Sequence, residues 1–307
     1  MRARKFKGFQ TTLARPIVFD GVGVHAGKPA RLVLSPADAD RGIVFVRQDD
    51  GGREVEIAAR YDMVVATDLC TVLGKDGVSV ATVEHLMAAL RALDVDNVLI
   101  EVDGPETPIL DGCSASFVDA ITEAGLTVLA APRRAVRILK TVRVEQGDAV
   151  AELSPFEGAR YDVTIDFADA LIGRQSYVLD LDAASFRAEI ARARTFGFMR
   201  DVEKLWKMGF ALGSSLENSV ALGDGRILNP EGLRWADEFV RHKTLDAVGD
   251  LALAGLPFIG CYRSFKGGHR MNVAVLKALF ADPTAYEIVP LAPIRAGETI
   301  AAGAAAI

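Results

Sequence analysis

The chain is organised around residues 238–251, which read Glu238-Phe239-Val240-Arg241-His242-Lys243-Thr244-Leu245-Asp246-Ala247-Val248-Gly249-Asp250-Leu251. Apolar residues recur there at helical spacing, which predicts a long helix. His242 and Asp246 then lie one turn apart on one face, and Asp250 continues the row. A neutral imidazole and a carboxylate so spaced form half of a zinc site, with a third ligand needed from elsewhere. Alternatively, His242 and Asp246 pair with each other, or with Lys243 and Arg241, on a solvated face.

The composition is that of a globular protein with enough apolar material for two domains. Of the 307 residues, 50% are hydrophobic and 25% are charged. The net charge of -6 argues against nucleic-acid binding, and no apolar stretch is long enough for stable membrane insertion. Three widely spaced cysteines, and no apolar segment after the basic N-terminus, predict a cytoplasmic protein. Metal ligands must then be aspartate, glutamate or one of four histidines: His25, His85, His242 and His269.

Both strand and helix patterns occur along the chain. Periodic apolar residues predict helices over 79–93, 116–124, 183–193, 202–208, 233–254 and 271–280. Thr82 is the expected N-cap of the first of these helices. Periodicity breaks at 130–134, which we interpret as a linker between an N-terminal domain over 1–132 and a C-terminal domain over 133–307.

A faint internal repeat links the two halves. Leu34-Ser35-Pro36 followed by Arg41 recurs as Leu153-Ser154-Pro155 followed by Arg160. One interpretation is two similar α+β halves with a site between them. The other is a chance similarity between common hairpins.

Other polar residues suit catalysis. Glu84 and His85 are neighbours on a predicted helix, so their side chains point about 100° apart. His85 can therefore bind a metal while Glu84 reaches a water molecule bound to that metal. The HExxH motif of metalloproteases is absent, which disfavours a protease. His269 follows a glycine-rich turn and is either a surface residue or a general acid held protonated by a carboxylate such as Asp250. Thr195 offers a hydroxyl to an oxyanion, or only caps a helix or pairs in a strand.

The chain contains five motifs in this order: Thr82-Val83-Glu84-His85-Leu86, Asp111-Gly112, Arg194-Thr195-Phe196-Gly197-Phe198, residues 237–251 and Gly268-His269. This order resembles that of the UDP-3-O-acyl-N-acetylglucosamine deacetylases, the zinc enzymes that commit lipid A biosynthesis. The resemblance extends from about residue 11 to residue 279, and its most specific part is the long helix.

The resemblance implies a complete zinc site. The implied ligands are His85, His242 and Asp246. Glu84 would be the general base, His269 the general acid, and Asp250 would orient His269. Two histidines and one carboxylate leave a position for water on Zn²⁺, although Fe²⁺ would suit the same ligands.

The resemblance also implies residues that bind substrate. Lys243 would lie near the diphosphate or the reacting groups, and Thr195 would contact the developing oxyanion. Phe196 resembles the residue that packs on the substrate, and His25 lies in the matching Gly-Val-Gly-Val-His loop. The implied substrate is UDP-3-O-acyl-N-acetylglucosamine.

An insert over about 198–222 corresponds to the hydrophobic passage that holds the acyl chain in this family. Its apolar residues are expected either to line that passage or to form the core of the small domain: Phe198, Met199, Val202, Leu205, Trp206, Phe210 and Leu212. Ser214 stands where the family commonly has glycine. If the backbone needs a positive φ at this position, the change from glycine to serine would shift the loop.

The resemblance implies two similar two-layer sandwich domains of β-α-α-β type, packed helices to helices with the active site at their interface. We expect a monomeric deacetylase. The first rival is a zinc amidase of the same fold with another acylated substrate. The second is a non-catalytic nucleotide-sugar or lipid binder, which is disfavoured because Glu84 and all three ligands are present.

Overall fold

The computed structural model describes residues 8–291, so the outer ends of the two expected domains lie outside the described part of the chain. The first half contains a 3-10 turn at Tyr61–Met63 and these elements: β1 (Phe9–Leu13), β2 (Ile17–Val22), β3 (Pro29–Pro36), β4 (Ile43–Gln48), β5 (Glu54–Ala58), β6 (Val64–Ala66), β7 (Val72–Lys75), β8 (Val78–Val80), α1 (Glu84–Ala92), β9 (Val98–Asp103), α2 (Ala115–Ala124) and β10 (Leu126–Pro132).

The second half contains a π-helical turn at Phe186–Ile190 and these elements: β11 (Arg134–Ile138), β12 (Val142–Gln146), β13 (Ala149–Ser154), β14 (Ala159–Asp166), β15 (Arg174–Asp180), α3 (Ala183–Ser185), β16 (Phe196–Phe198), α4 (Met199–Lys207), β17 (Val220–Gly223), β18 (Arg226–Ile227), α5 (Glu238–Ala252), β19 (Phe258–Phe265), α6 (His269–Ala281) and β20 (Tyr286–Pro290).

The two halves repeat one strand order. The first sheet runs β2-β3-β9-β4-β5, and the second contains β12-β13-β19-β14-β15. In both, the central strand is antiparallel to one neighbour and parallel to the other. Leu34 lies in β3 and Leu153 in the equivalent β13. The sequence repeat therefore marks corresponding strands, and the mixed α+β fold is confirmed. We propose that the domain boundary lies between Pro132 and Arg133, where β10 gives way to β11.

Each half carries an insert between its fifth sheet strand and its main helix. In the first half the insert is the small sheet β6-β7-β8. In the second half it contains α4 and the small sheet β16-β17-β18. Each insert directly precedes a helix that carries predicted ligands. The two inserts can therefore form walls of a site between those helices.

The most extensive contact between the halves is the packing of α1 on α5. A Cβ atom added at Gly249 would lie 2.0 Å from the carbonyl oxygen of Glu84. Glycine is therefore required for the two backbones to come this close. This contact places Glu84 and His85 of α1 beside the ionisable face of α5.

Buried apolar side chains from both halves form one large cluster. Burial on this scale supplies the main driving force for folding. No helix within residues 8–291 has the length and hydropathy needed to cross a membrane.

Three local predictions were wrong. The helix predicted over 79–93 begins only at Glu84, because 78–80 form β8 and Thr82 adopts a left-handed φ of 58° rather than capping the helix. Residues 130–134 are not a linker, since two strands occupy them and Arg133 is buried beside Asp96. The helix predicted over 183–193 is three residues of α-helix followed by the π-helical turn.

Candidate active site

Three predicted ligands from the two facing helices converge. Candidate ligand atoms of His85, His242 and Asp246 all lie within 4.8 Å of one another. The Nε2 atoms of His242 and His85 lie 3.3 Å and 3.6 Å from the same oxygen, Asp246 Oδ1. All three side chains are buried. A histidine from α1 therefore completes the half-site that α5 provides.

The surroundings of these side chains suit a cation. Nδ1 of His242 lies 3.0 Å from the carbonyl oxygen of Ala193, so Nδ1 holds the proton and Nε2 is left with its lone pair. Lys243 donates to Asp246 Oδ2 over 2.8 Å, whereas Asp246 Oδ1 is buried with no hydrogen-bond partner. An orphaned carboxylate oxygen beside two imidazoles is a set of donor atoms that could hold a divalent metal.

Protonation also favours ligation. Burial lowers the pKa of His242 to about 3, so its imidazole is neutral at neutral pH. Burial opposes ionisation of Asp246, but His242 and Lys243 outweigh it and hold the pKa of that carboxyl well below its usual range. Burial likewise opposes the charge on Lys243, yet Asp246 raises the lysine pKa. The ligand set thus includes a neutral His242 imidazole and an ionised Asp246 carboxylate.

A second group of three lies beside the first. Glu84, Asp250 and His269 also bring their polar atoms within 4.8 Å of one another. His269 Nδ1 lies 2.8 Å from Asp250 Oδ2, and its Nε2 lies 3.9 Å from Glu84 Oε1. Burial lowers the pKa of His269, but Asp250 and Glu84 together outweigh it and raise that pKa to about 9. Burial raises the pKa of Glu84. The group therefore pairs a cationic acid with a carboxyl suited to accept a proton.

Sequence reasoning missed two residues that hold this group. The Thr71 hydroxyl donates to Asp250 Oδ1 over 2.6 Å, and its backbone N–H donates to Glu84 Oε2 over 3.0 Å. Asn272 donates to Asp250 Oδ2 over 2.8 Å. Asn272 is one turn from His269 on α6, a spacing that could have identified it. Nothing in the sequence around Thr71 signals its role, because its partner belongs to the other half of the chain.

Comparison with known proteins decides the family. Residues 10–281 match the family described as UDP-3-O-acyl N-acetylglycosamine deacetylase. Relatives named UDP-3-O-acyl-N-acetylglucosamine deacetylase from Brucella ovis and Brucella melitensis biotype 2 are 55% and 54% identical over 282 residues. Each alignment covers 92% of this chain and 98% of the relative. The chain belongs to the UDP-3-O-acyl-N-acetylglycosamine deacetylase family. It is therefore an enzyme, a deacetylase of the hydrolase class, and the resemblance seen in the five motifs is confirmed.

A cavity of about 390 Å³ extends from the candidate metal ligands of the deacetylase into the second insert. Both ionisable groups reach it through His85, Glu84, His242, Asp246 and His269. Its apolar part is lined by five of the seven expected insert residues: Phe198, Met199, Val202, Leu205 and Trp206. Phe210 and Leu212 are not among the residues that line it. The cavity thus joins a polar end to an apolar end.

Thr195 and Phe196 line the cavity beside the ligands. The Thr195 N–H donates to the Gly112 carbonyl over 2.9 Å. Glycine is required at position 112, because its φ is 80° and an added Cβ would lie 2.0 Å from the Asn218 carbonyl oxygen. Lys243 Nζ lies 5.6 Å from the centre of the Phe196 ring. These three side chains therefore share one wall with the candidate ligands.

An ion pair between Arg194 and Glu238 supports that wall from outside the cavity. Arg194 Nε donates to Glu238 Oε1 over 2.9 Å, and both side chains are buried. The Arg194 backbone N–H donates to the same oxygen over 3.0 Å. Arg194 lies in the chain between Ala193, whose carbonyl orients His242, and Thr195. An ion pair outside the cavity thus fixes groups inside it.

His25 forms another part of the cavity wall, and burial lowers its pKa. Its backbone N–H donates to Glu106 Oε1 over 3.0 Å, and the Thr82 hydroxyl donates to the same oxygen over 2.7 Å. Glu106, which the sequence did not single out, therefore ties the His25 loop to the strained turn before α1. Ser214 also lines the cavity and is not among the residues with positive φ, so serine imposes no backbone strain there.

Proposed function

We propose that this chain is a zinc-dependent deacetylase of UDP-3-O-(3-hydroxyacyl)-N-acetylglucosamine and releases acetate and the free amine in the committed step of lipid A biosynthesis. One observation carries the proposal: two histidines and an aspartate lie beside a glutamate and a cationic histidine at the end of a half-apolar cavity. The names of the Brucella relatives support this choice of substrate.

His85, His242 and Asp246 fit the ion, since they offer two buried imidazoles and an orphaned carboxylate oxygen. When bound, zinc supplies Lewis-acid polarisation of the acetamide carbonyl and of the attacking water. Lys243 keeps Asp246 ionised and oriented. The same ligands suit iron, so metal identity belongs to the test.

Glu84 acts as the general base that takes the proton of the attacking water, and its raised pKa suits that role. His269, held cationic by Asp250, and the Thr195 hydroxyl stabilise the charge that develops on the carbonyl oxygen. Breaking the C–N bond releases acetate, and His269 or Glu84 protonates the leaving amine. Each proton step is thus assigned to a buried group beside the ligands.

The remainder of the cavity suits the rest of the substrate. Phe196 and His25 contact the sugar, Lys243 lies near the diphosphate or the reacting groups, and the acyl chain enters the apolar part along Phe198 and Met199. We place the reaction in the cytoplasm and expect a monomer. The buried free thiols of Cys70, Cys113 and Cys261 agree with a reducing compartment.

The decisive experiment is acetate release from UDP-3-O-acyl-N-acetylglucosamine before chelation, after chelation and after zinc is added back. Activity should disappear with the chelator and return with zinc. Glu84→Ala should retain zinc but lose roughly 100-fold or more in rate, because general-base catalysis is removed. His242→Ala should lose zinc affinity instead.

Glu101→Ala is the matched control, because Glu101 is exposed on β9 and should tolerate the change. Full activity of Glu84→Ala would show that the base is wrongly assigned. A folded, zinc-loaded protein that releases no acetate would point to an amidase with a different acylated substrate.

A further inference from the structure

We propose that the open end of the cavity docks on the surface of a phospholipid bilayer. The contact region, the mouth surface, consists of Met199, Trp206, Met208, Leu212 and Leu216. The inference rests on the proposed function, because an acylated substrate is what gives such a surface a purpose. The argument starts from how exposed these five apolar side chains are.

Three members of the mouth surface line the cavity and still face solvent. Met199, Trp206 and Leu216 are 45%, 53% and 44% exposed. The cavity therefore opens to solvent beside them. An acyl chain that enters the apolar part of the cavity passes between these side chains.

The other two members lie outside the cavity. Met208 and Leu212 are 58% and 52% exposed and are not among the residues that line it. A chain bound inside the cavity would leave both in water. A group of large exposed apolar side chains next to a ligand opening is typical of a surface that meets an apolar partner.

The mouth surface is firmly attached to the rest of the site. The Trp206 indole N–H donates to the Ala211 carbonyl over 3.2 Å, which closes the turn after α4. The backbone N–H of Leu212 donates to the His25 carbonyl, and that of Gly213 to the Val24 carbonyl, each over 3.0 Å. Docking at this surface therefore places the His25 wall of the cavity at a fixed position relative to the partner.

The chemistry of α4 favours a lipid surface. Met199, Val202 and Trp206 share one face of the helix, and none of its residues is fully buried. Lys204 and Lys207 are exposed in the last turn, where their charges can meet lipid phosphates. An amphipathic helix that combines an indole with lysines is suited to lie in the headgroup region.

Continuity with the cavity selects a bilayer over a protein partner. A long acyl chain drawn from a membrane into water loses favourable burial for every methylene exposed. With the mouth surface against the bilayer, the chain passes directly from lipid to the apolar cavity. The net charge of -6 opposes general adhesion to anionic membranes, so the contact is local and reversible.

The two tryptophans of the chain allow a direct test with Trp206 as the probe. Trp235→Phe leaves Trp206 as the only indole, and vesicles containing brominated phosphatidylethanolamine and phosphatidylglycerol should quench its fluorescence. The reciprocal variant, Trp206→Phe, leaves Trp235 and should show no quenching. Equal quenching of the two variants, or none in either, would overturn the proposal.

Vesicle co-sedimentation provides the second measurement. Met208→Ser/Leu212→Ser should lower the bound fraction about tenfold, because two large side chains lose their contact with lipid. The control is Val178→Ser/Ile288→Ser, since these residues are 54% and 52% exposed on strands elsewhere and their loss should leave binding unchanged. Equal loss in both double variants would count against the mouth surface.

Activity separates this inference from the proposed function. Met208→Ser/Leu212→Ser should keep normal acetate release from a soluble short-chain substrate and lose it from a long-chain substrate held in vesicles. Normal turnover on both substrates would overturn the docking proposal and leave the deacetylase assignment intact. A concentration-dependent dimer that this double variant abolishes, without lipid quenching of Trp206, would identify the mouth surface as an interface between copies.

Discussion

The Thr71 hydroxyl donates a hydrogen bond to Asp250 Oδ1 over 2.6 Å, although the two residues are 179 positions apart in the chain. The backbone N–H of Thr71 also donates to Glu84. One residue of the first insert thus holds both the proposed base and the carboxylate that supports the proposed acid. This contact couples the two halves at the point where protons move.

Replacing Thr71 by valine should slow the reaction without removing the metal. The variant keeps the side-chain shape and the N–H bond to Glu84 but leaves Asp250 without one donor. We expect kcat to fall roughly 10-fold to 100-fold, as is usual when a group that orients an active-site residue is lost. Zinc content should be unchanged, and Thr71→Ser should restore the rate. Wild-type kcat in Thr71→Val would show that the hydroxyl does not position Asp250.

The His269 imidazole should titrate at a pKa of about 9 in the metal-free protein. Asp250 stabilises the protonated imidazole ring, so Asp250→Asn should lower the pKa of His269. We expect a fall in pKa of about one unit or more, since an opposite charge in contact is removed. Proton NMR can follow the four histidines, with His269→Gln to assign the resonance. An unchanged pKa in Asp250→Asn would contradict the proposed support.

Gly249→Ala should destabilise the protein, although glycine to alanine within a helix usually stabilises it by about 1 kcal/mol. The added Cβ would lie 2.0 Å from the Glu84 carbonyl oxygen, so α1 and α5 must separate. We expect a loss of about 1–3 kcal/mol in the free energy of unfolding, measured with urea. Zinc affinity should fall too, because His85 moves away from His242.

Gly51→Ala is the comparison for this change. Gly51 lies in an exposed loop without a positive φ, and the nearest atom to its added Cβ is 3.3 Å away on the Asp49 side chain. That variant should be nearly neutral. A Gly249→Ala protein that is more stable than wild type would refute the close-approach argument.

The buried pair of Arg194 and Glu238 should behave as one unit. Glu238→Ala leaves a buried guanidinium without its main partner, which is expected to cost about 3–5 kcal/mol in the free energy of unfolding. Arg194→Ala/Glu238→Ala should cost less than the sum of the single changes by on the order of 1–3 kcal/mol. Urea unfolding of the four proteins gives the coupling. Strict additivity would mean that the pair does not hold the loop that carries Thr195.

The sequence alone determined the elements that carry the site. The spacing of His242, Asp246 and Asp250 on a helix follows from a local period of 3.6 residues, and α5 confirms it. The five motifs identified the family, and the repeat around Leu34 and Leu153 reported the equivalent strands. These features are local or shared with relatives, so they can be seen without coordinates.

Only the tertiary structure decided which side chains meet. His85 reaches Asp246 because Gly249 lets α1 approach α5, and Thr71 reaches Asp250 across the halves. The left-handed turn at Thr82 and the strand junction at Arg133 escaped prediction for the same reason. Each is stabilised by a distant partner, Glu106 for the turn and Asp96 for the junction. Burial beside such partners is a long-range property, and it outweighs the local preferences that a sequence pattern records.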